Sequence, residues 1–398
     1  MKFLHTSDWH IGRTVRGQSR YAEQESALQE VLNYTRDNSV DCLLVAGDVF
    51  DTSSPSPESE ELLYRFFQEL HGEGIPAVVV AGNHDHPRRL DAIAPLLRSL
   101  EINIRGVPRS HTNGAIIELE SRDRRERALV VTLPWVNERD AVDFDRLQRE
   151  PGERLSQYSE RVGQLLELLC DNLPSDSPRV VVSHMFVDGA KVGAGGGERA
   201  LHIDGRIYGV ETARLHLPVE YIALGHVHKP QQVSASPHAA YSGSLLQLDF
   251  GEREQQKYVN LVEAHARQPA IVTQLPISSG RRLVDIGMPE HGVALNDLAR
   301  YKDETEDAWA RVFVDVDMPV SNLAQLVRAE LPNAVHVERA RKEASREPDS
   351  ADRSHLGPVE MFSRFYEGSL GRGHEPSDET LALFRTLLNE EEHAASEA

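Results

Sequence analysis

Residues 42–51 read CLLVAGDVFD, and this stretch decides the fold class. Its first five residues are uncharged and mostly apolar, which is typical of a buried strand. Gly47 and Asp48 follow at once. Glycine permits the sharp turn that ends a strand, and polar groups just beyond strand ends form the sites of open α/β sheets. The stretch therefore predicts a strand that carries a functional carboxylate at its carboxyl end.

Four other stretches repeat this arrangement of an apolar strand followed by polar side chains. The polar segments are Asp8-Trp9-His10 after Lys2–Thr6, Gly82-Asn83-His84-Asp85 after Ala77–Ala81, Ser183-His184 after Arg179–Val182, and Gly225-His226-Val227-His228 after Tyr221–Leu224. A further strand is predicted at Ala128–Leu133. Apolar residues at helical spacing fill much of the sequence between the strands, and this alternation predicts a layered α/β fold.

Two of the intervening helices carry an apolar stripe. The stripes consist of Leu62, Leu63, Phe66, Phe67 and Leu70, and of Leu90, Ile93, Ala94, Leu97 and Leu100. Such a stripe predicts burial against the sheet. It leaves open a second interpretation, in which the two helices pair across the axis of a homodimer.

The pattern changes after residue 239. Between Ala239 and Ile277 strand-like runs recur without helices, which predicts antiparallel strands that complete a second sheet. We expect a first domain over residues 1–280, then a small separate domain over residues 281–340, and then a linker at 341–358, where almost no side chain is apolar. The strands predicted in the small domain are Leu283–Ile286, Val312–Val316 and Val335–Val337, with helical stretches around Asn296–Tyr301 and Asn322–Leu331.

Two short amphipathic helices are predicted within residues 359–398. The first follows Pro358, and the second begins at Ser377, a good N-cap residue. Two helices behind a linker have no core of their own. We therefore expect them to dock either on the rest of the chain or on another protein.

The composition excludes some classes of protein. The chain has 43 Lys and Arg against 63 Asp and Glu, a net charge of −20, which excludes a protein that coats nucleic acid through bulk positive charge. Cys42 and Cys170 lie in separate apolar runs, so we expect neither a disulfide framework nor a thiolate metal site. Without a signal-like start or a long apolar segment, we expect a cytoplasmic protein that does not enter a membrane.

The polar segments share one set of donor groups, namely carboxylates, imidazoles and an amide oxygen. This set suits a divalent cation such as Mn²⁺ better than a thiolate-bound zinc ion. Glycine immediately precedes Asp48, Asn83 and His226, which lets the backbone bring these side chains close to a metal.

The motifs D-x-H, G-D-x-x-D, G-N-H-D, a single His and G-H-x-H, in this order, resemble those of the calcineurin-like metallophosphoesterases over residues 1 to about 250. The segments FLHTSDWHIG, AGDVFDTSSPSPE, AGNHD, IALGHVHKPQ and YSGS are similar to the bacterial SbcD family of nuclease subunits. The resemblance implies a four-layer β-sandwich flanked by helices. It also implies that residues 281–340 form a capping domain, so we call them the capping unit.

The resemblance further implies a site for two divalent cations. One cation would bind Asp8, His10, Asp48 and His228, and the other would bind Asp48, Asn83, His184 and His226, with Asp48 as the bridging carboxylate. A pair of cations of this kind can orient a phosphate and lower the pKa of the attacking water.

Two further residues are candidates for catalysis. His84 follows a ligand without being one, so we interpret it as the general acid that protonates the leaving 3′ oxygen, with a purely hydrogen-bonding role as the alternative. Asp51 falls where related phosphatases carry a carboxylate that orients such a histidine. Its alternative role is to cap the loop.

A nuclease must also hold DNA. Residues 9–22 contain Arg13, Arg16 and Arg20 and no acidic residue, and Arg88 and Arg89 follow the segment that contains Asn83. These five side chains are candidate phosphate contacts, although arginines on the rim of an α/β domain are also common surface residues. We interpret Trp9 and Tyr21 as packed residues, with stacking on a base as the alternative.

The resemblance implies a DNA nuclease with 3′→5′ exonuclease activity on duplex ends and endonuclease activity on single strands and hairpins, in recombination, replication and repair. It also implies a homodimer within a heterotetramer, in which helices at 359–398 bind the SMC-like ATPase SbcC. One alternative is a phosphoesterase for a small nucleotide or a phosphoprotein. Another is a scaffold without catalysis, against which the full set of seven ligand residues argues.

Overall fold

The structure is a computed structural model, and the residues it describes are 1–137, 151–192, 202–203, 206–207, 209–316, 318, 320–340, 359, 361–363, 366, 376–378 and 380–384. The chain divides into two compact units, Met1–Ala340 and Arg341–Ala398. The predicted linker at 341–358 lies outside the described residues. Across the part of the chain that is described, no helix is long and apolar enough to cross a membrane.

The first unit contains nineteen strands among its described residues. In chain order they are β1 (Lys2–Thr6), β2 (Thr14–Val15), β3 (Gln18–Ser19), β4 (Cys42–Ala46), β5 (Ala77–Val80), β6 (Ile102–Arg105), β7 (Ile116–Glu120), β8 (Arg127–Leu133), β9 (Arg179–His184), β10 (His202–Ile203), β11 (Arg206–Ile207), β12 (Tyr221–Gly225), β13 (Gln231–Ala235), β14 (His238–Tyr241), β15 (Lys257–Glu263), β16 (Ile271–Ile277), β17 (Arg282–Ile286), β18 (Ala308–Val314) and β19 (Ala334–Arg339). The helices are α1 (Tyr21–Asp37), α2 (Pro57–Gly72), α3 (Pro87–Leu97), α4 (Pro151–Cys170), α5 (Lys302–Thr305) and α6 (Leu323–Glu330).

Two six-stranded sheets form the centre of this unit. Their strand orders are β16-β15-β1-β4-β5-β6 and β13-β14-β12-β9-β8-β7. Within the first sheet β1, β4, β5 and β6 run parallel, and within the second β8, β9, β12 and β14 do so. Each parallel set therefore brings its carboxyl ends to one edge of its sheet.

Alternating side chains build the layers. In β4, Leu43 and Val45 join a core with α1, α2 and α3, whereas Cys42 and Leu44 face the second sheet, as the two-residue period of a strand requires. The far face of the second sheet is covered by α4 through Val162 and other apolar residues. The predicted four-layer α/β sandwich is confirmed.

Both apolar stripes belong to the core. Leu62, Leu63, Phe66, Phe67, Leu70, Leu90, Ala94 and Leu97 are buried, and Ile93 and Leu100 pack against the same cluster. The stripes therefore stabilise the first sheet, and the interpretation of them as a dimer surface is wrong.

The strands predicted after residue 239 are present, but two of them have another partner. We expected them to complete a second sheet, and β14 does so next to β12. Instead, β15 pairs antiparallel with β1, with Val262 opposite Phe3, and β16 extends the first sheet beyond β15. Both faces of β15 carry apolar residues, so β15 fits a buried position in either sheet. Its sequence therefore does not indicate which sheet it joins.

The capping unit contains a three-stranded parallel sheet in the order β17-β18-β19. Val312, Val314, Val327 and Leu331 form an apolar cluster of its own. Arg311 donates to both carboxylate oxygens of Asp285 at 2.8 and 2.7 Å, which ties β18 to β17.

The described residues of the second unit are mostly helical. The Phe362 and Phe384 rings stack with centroids 4.2 Å apart, so the predicted helices meet through aromatic side chains. Ser377 Oγ accepts a hydrogen bond from the main-chain N–H of Thr380 at 3.3 Å, the contact expected of an N-cap.

Candidate metal centre

The backbone beyond β1 and β4 continues their pairing into the loops. The main-chain N–H of Asp8 donates to Gly47 O, and that of His10 donates to Asp48 O, both at 3.0 Å. Asp8, His10, Asp48 and His226 have positive φ angles of 52°, 46°, 49° and 101°. Non-glycine residues adopt this conformation at a cost of order 1–3 kcal/mol, and such strain clusters at functional sites.

Glycine is required where Gly82 approaches Asp48. A Cβ at position 82 would lie 2.1 Å from Asp48 Oδ1 and 2.4 Å from its main-chain nitrogen. A Cβ on Gly47, which has φ of +90°, would lie 2.3 Å from His184 Nδ1. The two glycines thus allow Asp48 and His184 to lie close to the neighbouring chain segments.

Donor atoms of five predicted ligands and of His84 converge at the carboxyl ends of the strands. In each of three groups, one atom per residue lies within 4.8 Å of the others: Asp8, His10 and His228; His10, Asp48 and His84; and Asp8, Asp48 and His184. All these side chains are buried. The sandwich therefore brings together residues that are more than 200 positions apart in sequence.

Asp48 lies between two imidazoles. Its Oδ2 is 3.6 Å from His10 Nε2 and 3.5 Å from His184 Nε2. Burial raises the pKa of Asp48 well above its usual range, and the carboxylates of Asp85 and Asp8 raise it further. Ionised acids in such a place need a positive charge beside them.

Asn83 joins the second group of donors. Its Oδ1 lies 3.0 Å from His184 Nε2 and 2.9 Å from His226 Nδ1. His184 Nδ1 lies 2.8 Å from the carbonyl of Ala46, which can only accept, so the ring proton belongs on Nδ1. His184 Nε2 then presents a lone pair to two oxygens, Asn83 Oδ1 and Asp48 Oδ2, and a cation among these atoms would remove the repulsion.

The same reasoning applies to His10. Its Nδ1 lies 3.2 Å from Asp51 Oδ1, which places the ring proton there, and its Nε2 is buried without a hydrogen-bond partner. Burial lowers the pKa of His10 and of His226 to about 3, so both rings are neutral bases at pH 7. The donor set therefore fits divalent metal ions.

His84 is buried beside this group, with its ring 4.7 Å from that of His10. Its Nδ1 lies 2.8 Å from the main-chain carbonyl of Asp51. We expected the Asp51 carboxylate to orient His84. The structure instead assigns that contact to the main chain of Asp51, while the carboxylate bonds His10 and pairs with Arg13 at 3.2 Å.

Four of the five arginines predicted to bind DNA are at least partly exposed: Arg13, Arg16, Arg88 and Arg89. Arg89 pairs with Glu60 at 2.8 Å. Trp9 is packed, as expected, with its ring against Phe66 at 5.2 Å between centroids.

Arg20 is a correction to the sequence analysis. Its side chain is 1% exposed and pairs with Glu23 at 2.7 Å, and it also donates to the main-chain carbonyls of Gln247 and Arg281. Burial excludes Arg20 from contact with DNA. It belongs instead to the interface with the capping unit.

Sequence reasoning missed residues that surround the ligands. Trp135 stacks on His226 with centroids 5.1 Å apart and 24° between the ring planes. Because Trp135 follows β8 at the same sheet edge, the strand-end rule could have found it. Glu252 lies 3.0 Å from His228 Nδ1, but it does not follow a strand, and no local pattern marks it.

Comparison with known protein families gives two matches. The family described as calcineurin-like phosphoesterase matches residues 1–230. A family described as the C-terminal domain of the type 5 capsule protein repressor matches residues 291–369.

Several curated relatives are similar over most of their length. The SbcD subunit of nuclease SbcCD from Bacillus subtilis (strain 168) is 31% identical over 411 residues, covering 99% of this chain and 100% of the relative. The SbcD subunits from Escherichia coli (strain K12) and Rhodobacter capsulatus are 27% and 29% identical, covering 92% and 83% of this chain and 92% and 84% of the relatives. The similarity therefore extends well beyond the metal-binding motifs.

Proposed function

The chain belongs to the SbcD family of calcineurin-like phosphoesterases and is a metal-dependent nuclease, and from this premise we propose how it acts on DNA. It hydrolyses phosphodiester bonds with two divalent cations. The observation that carries the proposal is the position of Asp48, whose Oδ2 lies between His10 Nε2 at 3.6 Å and His184 Nε2 at 3.5 Å. A carboxylate in this position can bridge two cations.

Each cation would have its own set of ligands around that bridge. Asp8, His10, Asp48 and His228 would hold one, and Asp48, Asn83, His184 and His226 would hold the other. The oxygen and nitrogen donors favour Mn²⁺. When bound, the cations would polarise the phosphate and lower the pKa of the attacking water.

His84 is the general acid of this proposal. The main-chain carbonyl of Asp51 accepts a hydrogen bond from His84 Nδ1 at 2.8 Å. The proton that the imidazolium delivers is therefore the one on Nε2. This proton passes to the 3′ oxygen as the bond between that oxygen and phosphorus breaks, so that the leaving group departs as a neutral hydroxyl.

Four arginines extend this site towards DNA. Arg13 and Arg16 lie on the loop after His10, and Arg88 and Arg89 follow the segment that contains Asn83. Arg13 also pairs with Asp51, so it is fixed beside the site. These side chains would bind backbone phosphates and so position the strand without reading its sequence.

The chain works within a complex of the SbcCD type. Its relatives are named as SbcD subunits of nuclease SbcCD, and we assign this chain a homodimer within a heterotetramer with the ATPase SbcC in the cytoplasm. The helices within 359–398 dock on SbcC, residues 1–280 carry the nuclease site, and residues 281–340 cap it. The expected activities are 3′→5′ degradation of duplex ends and cutting of single strands and hairpins.

A nuclease assay with purified chain and SbcC tests the proposal. A hairpin-ended duplex is incubated with Mn²⁺, with and without ATP, and the products are resolved by length. We expect Asp8→Ala, which removes a metal ligand, and His84→Gln, which removes the general acid, each to reduce cleavage by at least about 100-fold.

A surface histidine provides the matched control. His216 is exposed and bonds only its local carbonyl, that of Ala213, in the contacts described, so His216→Gln should cut like the unmodified chain. Unchanged cleavage by Asp8→Ala would show that the assigned site is wrong. Turnover of p-nitrophenyl phosphate without any cutting of DNA would favour the small-phosphoester alternative.

A further inference from the structure

Glu252 belongs to a buried polar cluster next to the predicted ligand His228. Glu252 Oε1 lies 3.0 Å from His228 Nδ1. Lys257 Nζ donates to Glu252 Oε2 at 2.7 Å and to the main-chain carbonyl of His228 at 3.0 Å. All three side chains are almost fully buried, so the cluster is shielded from solvent.

The cluster keeps Glu252 ionised. Lys257 Nζ forms an ion pair with Glu252 Oε2 at 2.7 Å, and its buried positive charge compensates the charge of the carboxylate. The main-chain N–H of Leu248 also donates to Oε2 at 3.1 Å. An ionised carboxylate can only accept, so the proton of the His228 ring lies on Nδ1, and Nε2 carries the lone pair.

We propose that Glu252 is a positioning residue that fixes the tautomer and orientation of His228, and that Lys257 holds Glu252 in place. The inference rests on the proposed function, because it presupposes that His228 binds a metal ion. Carboxylates behind metal-binding histidines commonly act in this way, and their loss weakens metal affinity.

The rest of the turn holds the carboxylate firmly. Glu252 ends the short 3₁₀ turn Phe250–Glu252. The Phe250 ring is buried against Leu283 and Val335 of the capping unit, and the guanidinium of Arg311 lies 5.1 Å from its centroid. The turn is therefore fixed at both ends, because Phe250 packs on the capping unit and Glu252 contacts His228.

Metal titration of the full chain tests this role without reference to cleavage. Binding of Mn²⁺ is followed by the loss of the electron paramagnetic resonance signal of free Mn²⁺. The amide of Glu252→Gln offers one oxygen to three donors, namely the His228 ring, Lys257 and the main-chain N–H of Leu248. We expect one Mn²⁺ to bind as in the unmodified chain and the other to bind about 10- to 100-fold more weakly.

Glu220 supplies the matched control. It is buried and pairs with Arg179 at 2.8 Å, at the amino ends of β12 and β9 and therefore away from the metal centre. Glu220→Gln should bind two Mn²⁺ with unchanged affinity. Two unchanged sites in Glu252→Gln would overturn the positioning role, whereas fewer than two sites in the unmodified chain would overturn the proposed function itself.

A second measurement needs no stable Glu252 variant. Nitrogen-15 labelling of histidine in the unmodified, metal-free chain reports which ring nitrogen carries the proton, and His228→Gln identifies the signal. We expect the proton on Nδ1 of His228. A proton on Nε2 would overturn the inference.

Discussion

Gly82 shows how narrowly single residues constrain the metal centre. Any side chain at this position would meet Asp48, because a Cβ would lie 2.1 Å from its Oδ1. We expect Gly82→Ala to displace Asp48 and to lower cleavage by at least about 100-fold, since misplacement of about 1 Å can cost that much. Mn²⁺ titration and the nuclease assay measure the effect.

Gly72 is the control for that substitution. It lies at the end of α2, and a Cβ there would have no neighbour within 4 Å. Gly72→Ala should retain cleavage and change the unfolding free energy by no more than about 1 kcal/mol. Equal activity of the two alanine variants would contradict the close approach at Gly82.

The sequence predicts the position of a residue when the neighbouring residues in the chain determine that position. The seven predicted ligands and His84 each lie at or just beyond the carboxyl end of a strand, and parallel pairing brings these strand ends together. Arg20 looked like its neighbours Arg13 and Arg16, but its partner Gln247 is 227 positions away. Glu252 likewise acts on a histidine 24 positions earlier, and no periodicity connects the two.

Among the elements, β1 and β12 are joined by a buried polar contact between the sheets. His5 Nδ1 lies 2.9 Å from Tyr221 Oη, and its Nε2 lies 3.2 Å from Leu224 O. Burial lowers the pKa of His5 to about 3, so the unfolded chain binds a proton between about pH 6.5 and 3 that the folded chain excludes. Stability is full above this range and falls as the pH falls.

His5→Gln should make the metal-free chain less sensitive to acid. The slope of unfolding free energy against pH should decrease by about 1.4 kcal/mol per pH unit between pH 6 and 4, as measured by urea unfolding with a chelator present. Tyr221→Phe should lower stability while keeping the original slope, because His5 remains. An unchanged slope in His5→Gln would exclude His5 as the buried base.

The extent of strands was easier to predict than their partners. The bounds of β1 and β4 agree with the expected Lys2–Thr6 and Cys42–Ala46, because uncharged runs and the glycine or polar residues after them are local signals. The placement of β15 beside β1 depends on a pairing between residues more than 250 positions apart. Strand pairing at that distance leaves no local trace.

At the scale of the whole first unit, Glu23 connects residues 1–280 to the capping unit. Its carboxylate pairs with Arg20, and it accepts from Trp309 Nε1 and from the main-chain N–H of Arg281, both at 2.8 Å. Glu23→Ala would leave Arg20 buried and unpaired, which we expect to cost about 3–5 kcal/mol. Hydrogen exchange should also increase in β17 to β19.

Glu25 is the comparison for this interface. It pairs with Arg65 on the surface, so Glu25→Ala should cost at most about 1 kcal/mol. Denaturant unfolding of both variants measures the difference. A Glu23 variant as stable as the Glu25 variant would mean that the buried pair does not hold the capping unit.

The two compact units predict separable activities. A chain that ends at Gly357 retains the first unit, Met1–Ala340, with all seven predicted ligands. We expect it to cut single strands with Mn²⁺ as the full chain does, and to lose binding to SbcC in a pull-down. Full retention of SbcC by the shortened chain would refute the docking role of the helices within 359–398.

The left-handed backbone at Asp8, His10 and Asp48 is held by main-chain hydrogen bonds between the two loops. Folding therefore supplies the conformational energy that orders these side chains, and cation binding does not have to supply it. A metal ion then enters a site whose ligands already have their final positions. After a chelator has removed the metal, the chain should bind metal again at a rate set by diffusion and ligand exchange. No slow rearrangement of its loops should limit that rate.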